Sequence, residues 1–309
     1  MSKPQIELCL FAACLLFMGC QKNTPVAHVA AQRLIFTAEH GTQALSNVTT
    51  FVQACTPRDA MTPGAEHAAQ WLKEKLISSG LQNATIDTFM DKTPKGDQSF
   101  HNVEAIIAGQ STRTILLLSH FDTKSGIRPV FQGANDGGSS TGLLLELARI
   151  IAASGTPRDT IHIAFLDGEE CWFNFDAQDG LHGSRHLARK LKAQAKDIAA
   201  VILVDMIGDR DLHIQLSHNG TGALRACALR AADATGDRDH IALYDGGILD
   251  DHQPFLDEGF PAVDLIDFEY GDAPENNNYW HTTYDTLDKL SAESLAITGR
   301  IVLEMINQL

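Results

Sequence analysis

The residues Ile115-Leu116-Leu117-Leu118 form an unbroken apolar run that ends on Ser119-His120-Phe121-Asp122. A strand without apolar–polar alternation is one covered on both faces, as in a parallel sheet between two helical layers. The pattern recurs at Thr160–Leu166, which ends on Asp167-Gly168-Glu169-Glu170, and at Ala199–Val204, which ends on Asp205. Asn102–Ala108, Leu212–Ser217 and Ala262–Ile266 read as further strands.

Segments of helical period lie between these runs. Met61–Gly80 carries Thr62 as a candidate cap, Pro63 in the first turn, and Ala68, Trp71, Leu72 and Leu76 on one face. Ser139–Ala153, Gly183–Ala195, Ala223–Ala232 and Ser291–Leu309 have the same character. Strands alternating with helices predict an α/β fold, here a single-domain αβα sandwich with a mostly parallel central sheet.

The N-terminus reads differently. Leu8–Met18 is an eleven-residue apolar run, too short for the roughly 20 residues a spanning helix needs but suited to a secretory signal. Phe17-Met18-Gly19-Cys20 resembles a bacterial lipoprotein cleavage box, with Phe where Leu is usual. The expected organisation is a signal over residues 1–19, a tether over 20–35 and a catalytic domain over 36–309. It places the protein outside the cytoplasm, in the periplasm or cell envelope, with a lipid on Cys20 as its membrane attachment. Cys55, Cys171 and Cys227 read as buried, reduced side chains.

With 24 Lys+Arg against 39 Asp+Glu, the formal net charge is −15, which excludes nucleic acid as a partner. The window Asp239–Asp288 contains thirteen acids and no Lys or Arg. It reads either as a solvated face or as a negative rim, including Asp267, Glu269 and Asp272, around a site that receives cations.

The polar groups that follow the buried strands carry the chemistry. In open α/β sheets ligands bind beyond the carboxyl ends of the strands. A His-x-Asp pair, a Glu-Glu pair and an Asp after a strand are each ordinary alone. Together at one edge they place several carboxylates side by side, a costly arrangement unless a cation neutralises them. His and Asp/Glu ligands without Cys suit Zn²⁺ in a catalytic site. Asp136 joins the set from the loop Gly133-Ala134-Asn135-Asp136-Gly137-Gly138, and Trp280-His281 adds an imidazole.

In order along the chain, Ser-His-Phe-Asp (119–122), Gly-Ala-Asn-Asp (133–136), Asp-Gly-Glu-Glu (167–170), Asp205 and Trp-His (280–281) resemble the zinc aminopeptidases and the related glutaminyl-peptide cyclotransferases. The resemblance covers roughly residues 55–309 and implies a zinc-exopeptidase-like fold. For a di-zinc aminopeptidase it implies Asp136 as the bridging ligand, His120 and Asp205 on one metal, and Glu170 and His281 on the other. For a cyclotransferase it implies one zinc on Asp136, Glu170 and His281. Glu169 is then the proton shuttle and Asp205 its hydrogen-bonding partner.

Two segments, Asp179–Ala188 and Asp250-Asp251-His252-Gln253-Pro254-Phe255-Leu256, are similar to the cyclotransferase branch, with Asp250 as an active-site residue and Trp280 as a pocket wall. Phe175 stands where that branch has a second pocket Trp, and Asp264 where animal members have His. The expected reaction is conversion of an N-terminal Gln to pyroglutamate with release of ammonia. The alternative is hydrolysis of the first peptide bond. Either way the partner is a peptide or protein with a free N-terminus; a catalytically dead binding relative would lack Glu169 or a ligand.

Overall fold

The computed structural model describes Met1 and residues 33–128, 130–271 and 277–309, so the signal and most of the tether lie outside the described residues. The described residues from 33 to 309 form one compact unit. Eight strands build its sheet: β1 (Thr85–Thr93), β2 (Gly96–Ile107), β3 (Ser111–His120), β4 (Asp159–Leu166), β5 (Ile198–Asp205), β6 (Ile214–Ser217), β7 (Ile241–Tyr244) and β8 (Ala262–Ile266). Their order is β1-β2-β4-β3-β5-β8-β6-β7. The central four, β4, β3, β5 and β8, are mutually parallel, while β1, β2 and the β6–β8 pairing are antiparallel.

Side chains of period two divide the core. Ile115, Leu117, Ile161, Ile163 and Ile202 face one layer, formed by α1 (Ala38–Cys55), α2 (Pro63–Ser78), α3 (Gly138–Ala153), α5 (Gly222–Thr235) and α7 (Ala292–Gln308). Leu116, Leu118, Ala164, Leu166 and Leu203 face the other, where α4 (His182–Ala193) and α6 (Gln253–Asp257) supply Leu187, Leu191 and Phe255. The continuous apolar runs are thus consumed by both layers.

Several local expectations change. The helix expected from Met61 starts at Pro63, and the Thr62 hydroxyl donates to the Asp59 carbonyl instead of capping it. Residues 33–35, placed in the tether, are docked: Leu34 is buried, and its backbone N–H and C=O pair with the Asn307 amide. Cys55, Cys171 and Cys227 are free and buried. Among the described residues no helix is long and apolar enough to cross a membrane.

Because the central strands run parallel, β3, β4, β5 and β8 deliver their carboxyl ends to one edge. His120 and Asp205 are the last residues of β3 and β5, and Glu169-Glu170 follow β4.

Candidate metal centre and catalytic pocket

At that edge the side chains form two triads that share Asp136. His120, Asp136 and Asp205 make one, and Asp136, Glu170 and His281 the other; within each, ligand atoms lie within 4.8 Å of one another. His120 Nε2 is 3.1 Å from Asp205 Oδ1 and 3.3 Å from Asp136 Oδ1. His281 Nε2 is 3.0 Å from Glu170 Oε1 and 3.3 Å from Asp136 Oδ2.

Backbone geometry permits this approach. Gly137 has φ +72°, and a Cβ there would lie 2.9 Å from His120 Cε1, so a larger residue would displace the imidazole. His281 itself has φ +53° and Met206, next to Asp205, φ +50°. Such backbone costs on the order of 1–3 kcal/mol per residue and persists where surrounding structure enforces it.

A further layer orients the ligands. Asp122 accepts the backbone N–H groups of Glu169 (3.1 Å) and Glu170 (3.2 Å). Asp285 accepts those of Asn135 (2.7 Å) and Asp136 (3.1 Å), together with the Tyr270 hydroxyl (2.9 Å). The Lys124 ammonium stands 3.6 Å from Glu170 Oε2. Asp122 lay inside a motif already recognised, whereas Asp285 and Lys124 act through tertiary contacts that spacing alone does not reveal.

The centre fits a divalent cation. Asp136, Glu170 and Asp205 are buried. Glu170 Oε2 and His120 Nδ1 are buried without a hydrogen-bond partner. Burial opposes charge on His281, but hydrogen bonds to Asp136 and Glu170 outweigh it and hold the imidazole up at about 9. Burial likewise opposes charge on His120, and Asp205, Asp122 and Asp136 again hold it well above the usual range. Burial and the neighbouring Asp136 push Glu170 up to about 7 against His281 and Lys124.

Glu169 belongs to neither triad. Its carboxyl is raised well above its ordinary range by burial, then by Glu170, Asp250 and Asp251. It opens on a pocket of about 220 Å³ with Asp136, Glu170, Asp205, Asp250 and His281 at the charged end. Phe175, Ile248, Phe268 and Trp280 supply apolar wall. Trp280 stacks on His281 at 3.9 Å between ring centroids. Asp250 is buried beside Asp251 and Asp264; burial and neighbouring acids raise all three carboxyls. A larger cavity, about 590 Å³, opens elsewhere beside Glu104, His162 and Lys190. There His162 (2.8 Å) and Lys190 (2.7 Å) compensate Glu104, so the smaller pocket holds the uncompensated charge.

The acid window is not a continuous rim. Asp250, Asp251, Asp264, Asp267 and Asp285 are buried, and Glu269 is half-buried. Asp272 lies outside the described residues. Asp267 accepts the backbone N–H groups of His213 (3.0 Å) and Glu269 (3.1 Å), which makes it a structural bracket. Burial, with Asp209 and Glu269, pushes it up to about 7. A carboxyl with a folded pKa above its unfolded value favours the fold when protonated, and that contribution fades as pH rises through 7. Asp267→Asn should therefore gain melting temperature relative to wild type between pH 5 and pH 8. A gap that does not change with pH contradicts this reading.

These features define an α/β chain with a buried His/Asp/Glu centre able to hold a metal, and comparison with known proteins supplies the lineage. The chain belongs to peptidase family M28, whose family model matches residues 102–306. It is similar to the crystal structure of an Acidobacteriales bacterium glutaminyl cyclase, at 34% identity and a TM-score of 0.82, covering 93% of this chain and 98% of that one. Bovine glutaminyl-peptide cyclotransferase is 28% identical over 279 residues, 78% of this chain and 75% of the relative. A leucine aminopeptidase precursor from Bacteroides thetaiotaomicron, at 24% identity and TM-score 0.78 over 90% of this chain and 99% of its own, shares the fold.

Proposed function

We propose that the chain is a zinc-dependent glutaminyl-peptide cyclotransferase acting on peptides or proteins with an N-terminal Gln. The likeness to a glutaminyl cyclase along 93% of the chain carries this reading. The small pocket, walled by Trp280 and Phe175 and closed by carboxylates, supports it.

A second zinc, on the His120–Asp136–Asp205 triad, would belong to the aminopeptidase alternative; in the cyclotransferase Asp136, Glu170 and His281 would hold the one zinc. Bound there, zinc supplies Lewis acidity toward the side-chain amide oxygen of the substrate. Glu169 takes a proton from the α-amine as its nitrogen attacks the amide carbon. It returns that proton to the departing nitrogen as the C–N bond breaks, so ammonia leaves and a five-membered lactam remains. Burial and acidic neighbours raise the Glu169 carboxyl, which suits a group that must both accept and release a proton near neutrality. Asp250 steadies the departing nitrogen, with Asp205 as a polar neighbour. Trp280 and Phe175 confine the substrate side chain, favouring attack by the tethered amine over attack by water.

The deciding assay is incubation with a Gln-initiated peptide, which should release ammonia and yield a pyroglutamyl product. Release of the free first amino acid without pyroglutamate would establish aminopeptidase chemistry instead. Export and a lipid on Cys20 belong to the same reading, supported by the apolar run Leu8–Met18 and the segment ending at Cys20. Mass analysis of the mature N-terminus tests that part.

A further inference from the structure

Arg58 is fully buried (0% exposed), and its donors go to neutral oxygens. Nε donates to the Phe121 carbonyl at 2.6 Å. Nη1 donates to the Gln132 carbonyl at 2.8 Å and the Thr56 hydroxyl at 3.4 Å. Nη2 donates to the carbonyls of Gly133 at 2.6 Å and Asp136 at 3.4 Å. All five guanidinium N–H groups are thus directed at acceptors. The guanidinium carbon also lies 4.8 Å from the centroid of the Phe51 ring.

The acceptors come from two places. Phe121 sits between His120 and Asp122, the residue that holds the Glu169 and Glu170 backbone. Gln132, Gly133 and Asp136 belong to the loop that carries the ligand shared by both triads. Gly133 is tightly enclosed there: it has φ +53°, and a Cβ would stand 2.6 Å from Thr123 Cγ2, 2.8 Å from the Asp136 carbonyl oxygen and 2.9 Å from Arg58 Nη2. Asp59, one residue on, accepts the Thr123 hydroxyl at 2.8 Å and fixes the same strand end. Segment 56–59 therefore reaches the centre from outside the strand-end motifs.

We propose that Arg58 is a positioning residue of the metal centre: its planar fork sets the spacing between the His120–Asp122 strand end and the Asp136 loop. The assignment rests on the reading of Asp136, Glu170 and His281 as zinc ligands. A lysine keeps the charge, but its single nitrogen cannot present five donors in one plane. Removing an outer partner of a metal ligand typically weakens metal binding 10–100-fold.

The test compares Arg58→Lys with Leu72→Ala, a buried substitution in α2 away from the centre. Zinc affinity, the visible absorption of the cobalt-substituted protein and melting temperature are measured for each. Arg58→Lys should weaken zinc about 10–100-fold and move the cobalt bands. Leu72→Ala should lower melting temperature and leave both metal readouts unchanged. Equal zinc affinity and unshifted cobalt bands in Arg58→Lys would overturn the assignment. If Arg58→Lys does not fold, Arg58→Gln, which keeps a planar donor without the buried charge, takes its place; weakened zinc binding with shifted cobalt bands supports the assignment, and wild-type values of both overturn it. A wild-type chain that takes up no zinc would instead remove the metal reading itself, and this assignment with it.

Discussion

Glu169→Gln is expected to abolish turnover of a Gln-initiated peptide while leaving the metal content of the protein unchanged. Glu169 lies outside both triads, so its replacement removes no ligand. Its backbone stays in place, because the N–H is held by Asp122 and the carbonyl accepts the Leu181 N–H at 2.9 Å. Glutamine has nearly the same shape but cannot take up and return a proton. Positioned acid–base groups contribute about 10²–10⁴-fold to rate, so a fall of that size in kcat is expected. Ammonia release and elemental analysis of one preparation check both halves. Turnover near the wild-type rate would remove Glu169 from the proton path. Loss of metal would place it among the ligands instead.

Legibility in the sequence followed physical locality. The runs Ile115–Leu118 and Ala199–Val204 revealed the central sheet because two-sided burial leaves no polar position. His120, Glu170 and Asp205 were legible because they stand at or just beyond strand ends, where chain direction fixes their location, whereas Asp136 and His281 stand in loops and were legible through the motifs around them. β1 was missed: as an edge strand it has no continuous apolar run, and up to Lys92 its residues are exposed or half-buried. Helix α1 did carry a signal, since Ala44, Val48, Phe51, Val52 and Cys55 are buried at helical spacing. Its Thr37–His40 capping box pairs the Thr37 side chain with the His40 backbone and the His40 ring with the Thr37 backbone. Asp285 and Arg58 were invisible as site residues because their partners lie 149 and 75 residues away, respectively, at Asp136 and Gly133. The acid window left two readings open for a related reason: net charge does not distinguish a solvated carboxylate from Asp267 bracketing two backbone N–H groups.

Asp136→Ala is expected to have the largest effect on metal content, because Asp136 alone belongs to both triads. Its Oδ1 faces His120 and its Oδ2 faces His281, each at 3.3 Å. Truncation leaves each remaining group one ligand short and removes a carboxylate from between two imidazoles. The fold should survive, since the loop keeps its anchors from Asp285 and Arg58 to the backbone. The purified variant should retain no zinc after dialysis and turn over no substrate, with its circular dichroism unchanged. His281→Ala and His120→Ala then separate the two triads. Under the one-zinc reading, His281→Ala loses the metal and His120→Ala keeps it. Equal loss from both would indicate a centre that requires two ions. Zinc must displace protons from His281, which its partners Asp136 and Glu170 hold up at about 9 against the opposing effect of burial. Affinity in the wild type should therefore fall steadily as pH is lowered below 9.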